Sequence, residues 1–213
     1  MRGNKFFIIM VAVVAVFTVI AARVVLQNQN KNEQVPPEIM ALLVKDHSPT
    51  LGSKDAPVHL VEFLDPECES CAAMDPIVKG LVKEYEGKIF YTVRYMPFHG
   101  NSAYAAAMLE EAREQGKYWE SLSTLFHQIG NWGDHHEPKP ELIKGYLTEL
   151  GVKFDSLDDK AIIEKHSSKI KLDETDGKRL GVKYTPTFFV NGRMLADIGY
   201  EPIKEAIEAA LKK

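Results

Sequence analysis

Cys68-Glu69-Ser70-Cys71 sets two thiols one helical turn apart, and these are the only two cysteines of the chain. They cannot found a disulfide scaffold, so whatever they do depends on where they sit. The residues before them read as a strand and those after as a helix, which puts Cys68 at a helix N-terminus. Unpaired N–H groups and the positive end of the helix dipole there lower a thiol pKa from about 8.5 into a range of roughly 3.5–7.5. Cys71, a turn inside, is shielded but near enough to attack a mixed disulfide on Cys68. Cys68 is read as the nucleophile and Cys71 as the resolving thiol. An inert disulfide competes poorly, because so short a ring constrains the unfolded chain little. Zinc would need two further ligands, and none of the seven histidines has ligand spacing to the pair; His135-His136 falls in a remote loop. Copper(I) held by both thiolates with Met74 or Met96 is the metal alternative.

Four acids lie near the pair in sequence. Glu62 stands inside an apolar run, between Val61 and Phe63, where an ionised carboxylate is costly. Its pKa should rise, and it could pass protons to and from Cys71. Asp65 and Glu67 read as solvated loop acids. With Glu69 they place negative charge near Cys68, so its pKa should fall less than the helix position alone would bring about. His99 is read as a loop histidine after the second strand.

The elements that position these residues can be read from periodicity. Val58-His59-Leu60-Val61-Glu62-Phe63-Leu64 is nearly all apolar and predicts a central strand covered on both faces. From about Cys68 a helical stripe runs through Met74, Ile77, Val78, Leu81 and Tyr85. Gly87 ends it, and 89–95 predicts a second strand, parallel to the first by a right-handed crossover. From 101 to about 180 the pattern turns helical, with helices expected at 103–114, 118–129, 140–150 and 159–172. Tyr118, Trp119 and Phe126 fall at helical spacing and read as the core of this block. Strand character resumes at Thr187-Phe188-Phe189-Val190, Asn191-Gly192 signals a hairpin, and 193–197 returns beside it. A final helix is expected over 202–211. The order is βαβ, a helical block of domain scale, then ββα.

These residues together resemble the thioredoxin superfamily and, within it, the exported DsbA-like thiol:disulfide oxidoreductases. The resemblance covers about residues 50–213. It rests on the strand–C-x-x-C–helix at Cys68, Pro76 five residues after Cys71, Thr185-Pro186 before the third strand, and Gly199 before the last helix. Glu62, six residues before Cys68, stands where the superfamily keeps a buried acid. The long helical insertion, at about 100–181, marks the DsbA-like branch. Two positions depart from its strongly oxidising members: Glu69-Ser70 replaces Pro-His, and Thr185 looks more like the isomerases and reductases. The resemblance implies an α/β thioredoxin-like fold and disulfide exchange with client protein thiols, with a reductase or isomerase as the alternative direction. It implies no metal or organic cofactor, because the cysteine pair is the redox group. It also implies a cis Thr185–Pro186 bond beside Cys68, with both residues binding the client chain.

The N-terminus bears on location. Arg2 and Lys5 precede an uncharged apolar run over 6–22, seventeen residues long, followed by Arg23. At about 1.5 Å per residue that spans roughly 26 Å, slightly under a bilayer core of about 30 Å, and Arg23 could snorkel to extend it. Residues 1–28 therefore read as a signal-anchor, with a cleaved secretory signal near Ala21-Ala22 as the alternative. Either reading exports the rest to the periplasmic side and invites a membrane partner that resets the cysteines. Residues 29–50 are expected to be a tether, with at most a turn or two of helix over 38–44, and 51–213 the domain. The net charge of −4 gives no reason to expect a nucleic-acid partner.

Overall fold

The computed structural model describes residues 35–154 and 158–212. The expected N-terminal membrane segment lies outside them. Among the described residues no helix is long and apolar enough to cross a membrane.

Five strands form one sheet: β1 (Thr50–Leu51), β2 (Val58–Leu64), β3 (Ile89–Tyr95), β4 (Thr187–Val190) and β5 (Arg193–Met194), in the spatial order β1-β3-β2-β4-β5. β2 and β3 pair in parallel and every other pair is antiparallel. Central β2 is buried except at His59, as its apolar run requires. Alternation then divides its side chains between two faces. Leu60 and Leu64 pack with Cys71, Met74 and Val78, whereas Val61 and Phe63 pack with Leu43, Met96 and Val182 on the other face.

The first face is covered by α2 (Glu69–Glu84), the helix that follows the cysteine motif, and by α8 (Tyr200–Leu211). Between β3 and β4 comes the helical insertion: α3 (Ser102–Glu114), α4 (Tyr118–His127), α5 (Ile129–Trp132), α6 (Leu142–Glu149) and α7 (Asp159–Arg179). Tyr118 and Phe126 are buried in its core as expected, together with Trp132.

Three expectations need correction. A tether is expected over 29–50, but the compact unit already begins at Pro37. Helix α1 (Pro37–Leu43) buries Leu43, and β1 extends the sheet. Two-residue β1 carries too little periodicity to be read from sequence, yet Thr50 and Leu51 pair with Thr92 and Tyr91. The last insertion helix was expected to stop at 172 and instead runs to Arg179, because Asp173 and Asp176 are not a solvated end. Both carboxylates face inward onto Arg94 of β3, which is 0% exposed, with contacts of 2.7 and 2.9 Å. Gly177 follows on that face, where an added Cβ would lie 2.9 Å from Met96 Sδ and 3.0 Å from the Phe63 ring. Helix and sheet approach closely only because the side chain is missing. The third correction is β5, which spans two residues rather than 193–197.

Candidate active site

Cys68 is the N-cap of α2, with extended backbone (φ −94°, ψ 117°), and the Cys71 N–H donates to its sulfur at 3.4 Å. The helix thus begins with a thiol in the place where serine or aspartate ordinarily caps. The Cys68 thiol in turn reaches the carbonyl oxygen of Thr185 at 3.4 Å. Thr185–Pro186 is cis and sits directly beside Cys68. Both cysteines are free thiols.

The two sulfurs are electrostatically unlike. Cys68 is lowered from an ordinary 9.0 to about 6, first by a hydrogen bond from the Cys71 thiol, then by Thr185 and the backbone N–H groups of Cys71 and Ser70, against the opposing effect of burial. Cys71 is pushed well above its ordinary value, first by burial and then by donating to Cys68, with Glu62 adding charge repulsion. Hydrogen bonds rather than Asp65, Glu67 or Glu69 dominate at Cys68. Glu69 and Ser70 are exposed in the first turn, and the backbone of Ser70 helps lower the Cys68 thiol.

Glu62 is 2% exposed on the face of β2 that packs against α2. Burial raises it from 4.5 to about 8; a hydrogen bond from the Tyr91 hydroxyl works the other way, and Asp75 and Cys68 add repulsion. At neutral pH this carboxyl is mostly protonated. Tyr91 was not singled out from sequence. The available signal was a phenol on the interior face of a buried strand, which needs a hydrogen-bond partner.

Asp65 and Glu67 correct a further expectation. They are 0% and 4% exposed, not solvated. Asp65 accepts from the backbone N–H groups of Glu67, Phe98 and His99 at 2.8, 2.7 and 3.1 Å, and contacts His99 Nδ1 at 2.8 Å. Glu67 accepts from the Asn101 N–H and side-chain amide at 2.7 and 2.8 Å. The two acids therefore tie the loop entering α2 to the loop leaving β3, and buried donors supply what water would otherwise provide. His99 consequently borders the site. Burial opposes its charge, but Asp65, with Cys68 and Glu67, outweighs that and raises its pKa. Nor is the His135 loop remote, since the His135 ring lies 5.5 Å from that of His99.

Only one of the two methionines considered for copper(I) lies on the side of the sheet that carries the thiols. Met74 packs near the cysteines, but Met96 belongs to the cluster on the opposite face of the sheet. Among the described residues, Glu111, Glu114 and His166 could together offer ligand atoms to an ion. Lys165 already occupies that cluster, at 2.7 Å from Glu111 and 2.6 Å from Glu114, and it includes none of the residues named from sequence.

With the cysteines, the buried acid and the cis proline in one place, comparison with known proteins becomes informative. A family profile described as Thioredoxin matches residues 45–209. The chain belongs to the thioredoxin family. Relatives within reach of this family member include the disulfide bond formation protein D of Bacillus subtilis strain 168, 28% identical over 198 residues and covering 86% of each chain. The Na(+)/H(+) antiporter NhaA of Herminiimonas arsenicoxydans is 33% identical over 148 residues, 68% of this chain. This chain spans only 22% of that antiporter's length. The fold is similar to the crystal structure of oxidised BdbD from Bacillus subtilis, with a TM-score of 0.66 and 24% identity over 78% of this chain and 94% of that one. The thioredoxin-like sheet with its helical insertion is thus shared with that structure.

Proposed function

We propose that this thioredoxin-family chain is an extracytoplasmic thiol:disulfide oxidoreductase that oxidises client proteins. The observation that carries this reading is the asymmetry of the pair: Cys68 is lowered to about 6 while Cys71 is raised well above its ordinary value. In the oxidising direction a client thiolate attacks Cys68 Sγ, the Cys68–Cys71 bond breaks, and Cys71 leaves as a thiolate that takes a proton from Glu62. The client's second thiolate then attacks the client sulfur of the mixed disulfide, and Cys68 leaves. Two electrons pass from client to enzyme. A thiol lowered from 9.0 to about 6 is mostly thiolate at pH 7. This favours the reduced enzyme about tenfold, or roughly 30 mV for a two-electron couple, and so favours release of the client oxidised.

Thr185 and Pro186 supply the surface on which the client chain lies beside Cys68, and the exposed ring of Tyr184 directly precedes them in sequence. The basic-flanked apolar run over 6–22 supports export and membrane attachment, and a membrane redox partner would re-oxidise the pair. Equilibration with glutathione buffers tests the direction. The expected potential lies between about −200 and −120 mV, and a value near −270 mV would make the protein a reductase. Cys71→Ala should in addition accumulate thiol-sensitive adducts through Cys68, and their absence with reactive clients would remove exchange from the account.

A further inference from the structure

Tyr91 is a buried residue of β3 on the same sheet face as Glu62; Leu60 is its register partner and Glu62 pairs one step along with Val93. Its hydroxyl donates to Glu62 Oε2. The ring is confined from the insertion side by Trp119 of α4, with centroids 5.5 Å apart, and Trp119 is itself set edge-on to Tyr118 at 5.0 Å. The titratable groups that face the Glu62 carboxyl are Cys68 at the N-cap of α2, Cys71, Asp75 and Lys79 within α2, Tyr91 on β3 and Tyr118 on α4. Asp75 is engaged elsewhere, with Lys79 at 3.0 Å and Ser123 at 3.3 Å. Tyr91 is the donor that reaches the carboxyl.

We propose that Tyr91 is a positioning residue of the exchange reaction, its hydroxyl fixing the Glu62 carboxyl and supporting the ionised form that takes the Cys71 proton. This rests on the oxidoreductase reading above. The step concerned is resolution of a mixed disulfide on Cys68. Cys71 sulfur bonds to Cys68 sulfur, the client sulfur leaves as a thiolate, and the Cys71 proton passes to Glu62. Without the phenol, burial acts on Glu62 against Lys79 alone, and the carboxyl holds its own proton to higher pH. Trp119 and Tyr91 thereby connect the insertion to the proton-handling group.

The test uses the reduced full-length chain and an aromatic disulfide that releases a coloured thiolate. The first release reports attack by Cys68 and the second reports attack by Cys71. In Tyr91→Phe the inflection of the second phase should move up by about one pH unit, with the rate at pH 7 falling about tenfold and the first phase unchanged. In a Glu62→Gln background, Tyr91→Phe should add nothing. An unmoved second phase in folded Tyr91→Phe, or the same shift without Glu62, overturns the proposal. Should Tyr91→Phe not fold, protein grown with fluorotyrosine keeps the shape and has a more acidic phenol. Its second-phase inflection should move down, and an unmoved one overturns the proposal equally. Failure of the wild-type chain to exchange at all would instead overturn the oxidoreductase reading.

Discussion

A carboxyl raised from 4.5 to about 8 has a sign that can be checked on the fold itself. The stability that depends on protonated Glu62 is complete below pH 4.5 and is lost as pH rises through about 8. Glu62→Gln keeps the shape and never ionises, so it should be more stable than wild type by about 1–3 kcal/mol at pH 8, with the gain vanishing near pH 4. Urea unfolding of the reduced proteins at both pH values checks this, and an equal difference at the two would mean that Glu62 is not a buried acid. The same substitution should slow exchange, a cost in activity for a gain in stability. The residue-scale features legible in sequence were those that break a local rule: an acid in an apolar strand, and a proline at the mouth of another. Asp65 and Glu67 break no such rule. Their burial depends on backbone donors of a loop more than thirty residues away, at Phe98 and Asn101, and no local pattern records that.

At the scale of elements, periodicity recovered what alternates or recurs and failed where polarity was misleading. Strands β2, β3 and β4 and helix α2 fell where the apolar pattern put them. Helix α7 was cut short at 172 because Asp173, Glu174 and Asp176 look like a surface, although two of the three are buried against Arg94. Gly177, in the same stretch, is a contact point on Phe63 and Met96. Gly177→Ala should therefore destabilise the protein by about 1–3 kcal/mol despite alanine's better helix propensity. The thermal unfolding midpoint reports this directly. A raised midpoint would show that Met96 yields and that propensity wins.

At the scale of the whole molecule, one fully buried cation joins three parts of the chain. Arg94 holds Asp173 and Asp176 of α7 and donates to the carbonyl of Leu42 at the end of α1. His47 and Lys45 close on the same two acids at 2.7 and 3.2 Å. Removing Arg94 strands two carboxylates in the interior, so Arg94→Ala should cost about 3–5 kcal/mol. Denaturant titration at fixed redox state measures it, and a loss under about 1 kcal/mol would show that Lys45 and His47 suffice. The clamp lies on the face of the sheet away from Cys68, where Leu43 seals against Val61 and Phe63. A pull on the chain at Pro37 is thus resisted by α1, Arg94 and α7, and that load bypasses α2. Tension applied to the chain there would be taken up behind the sheet, leaving the two thiols mechanically quiet.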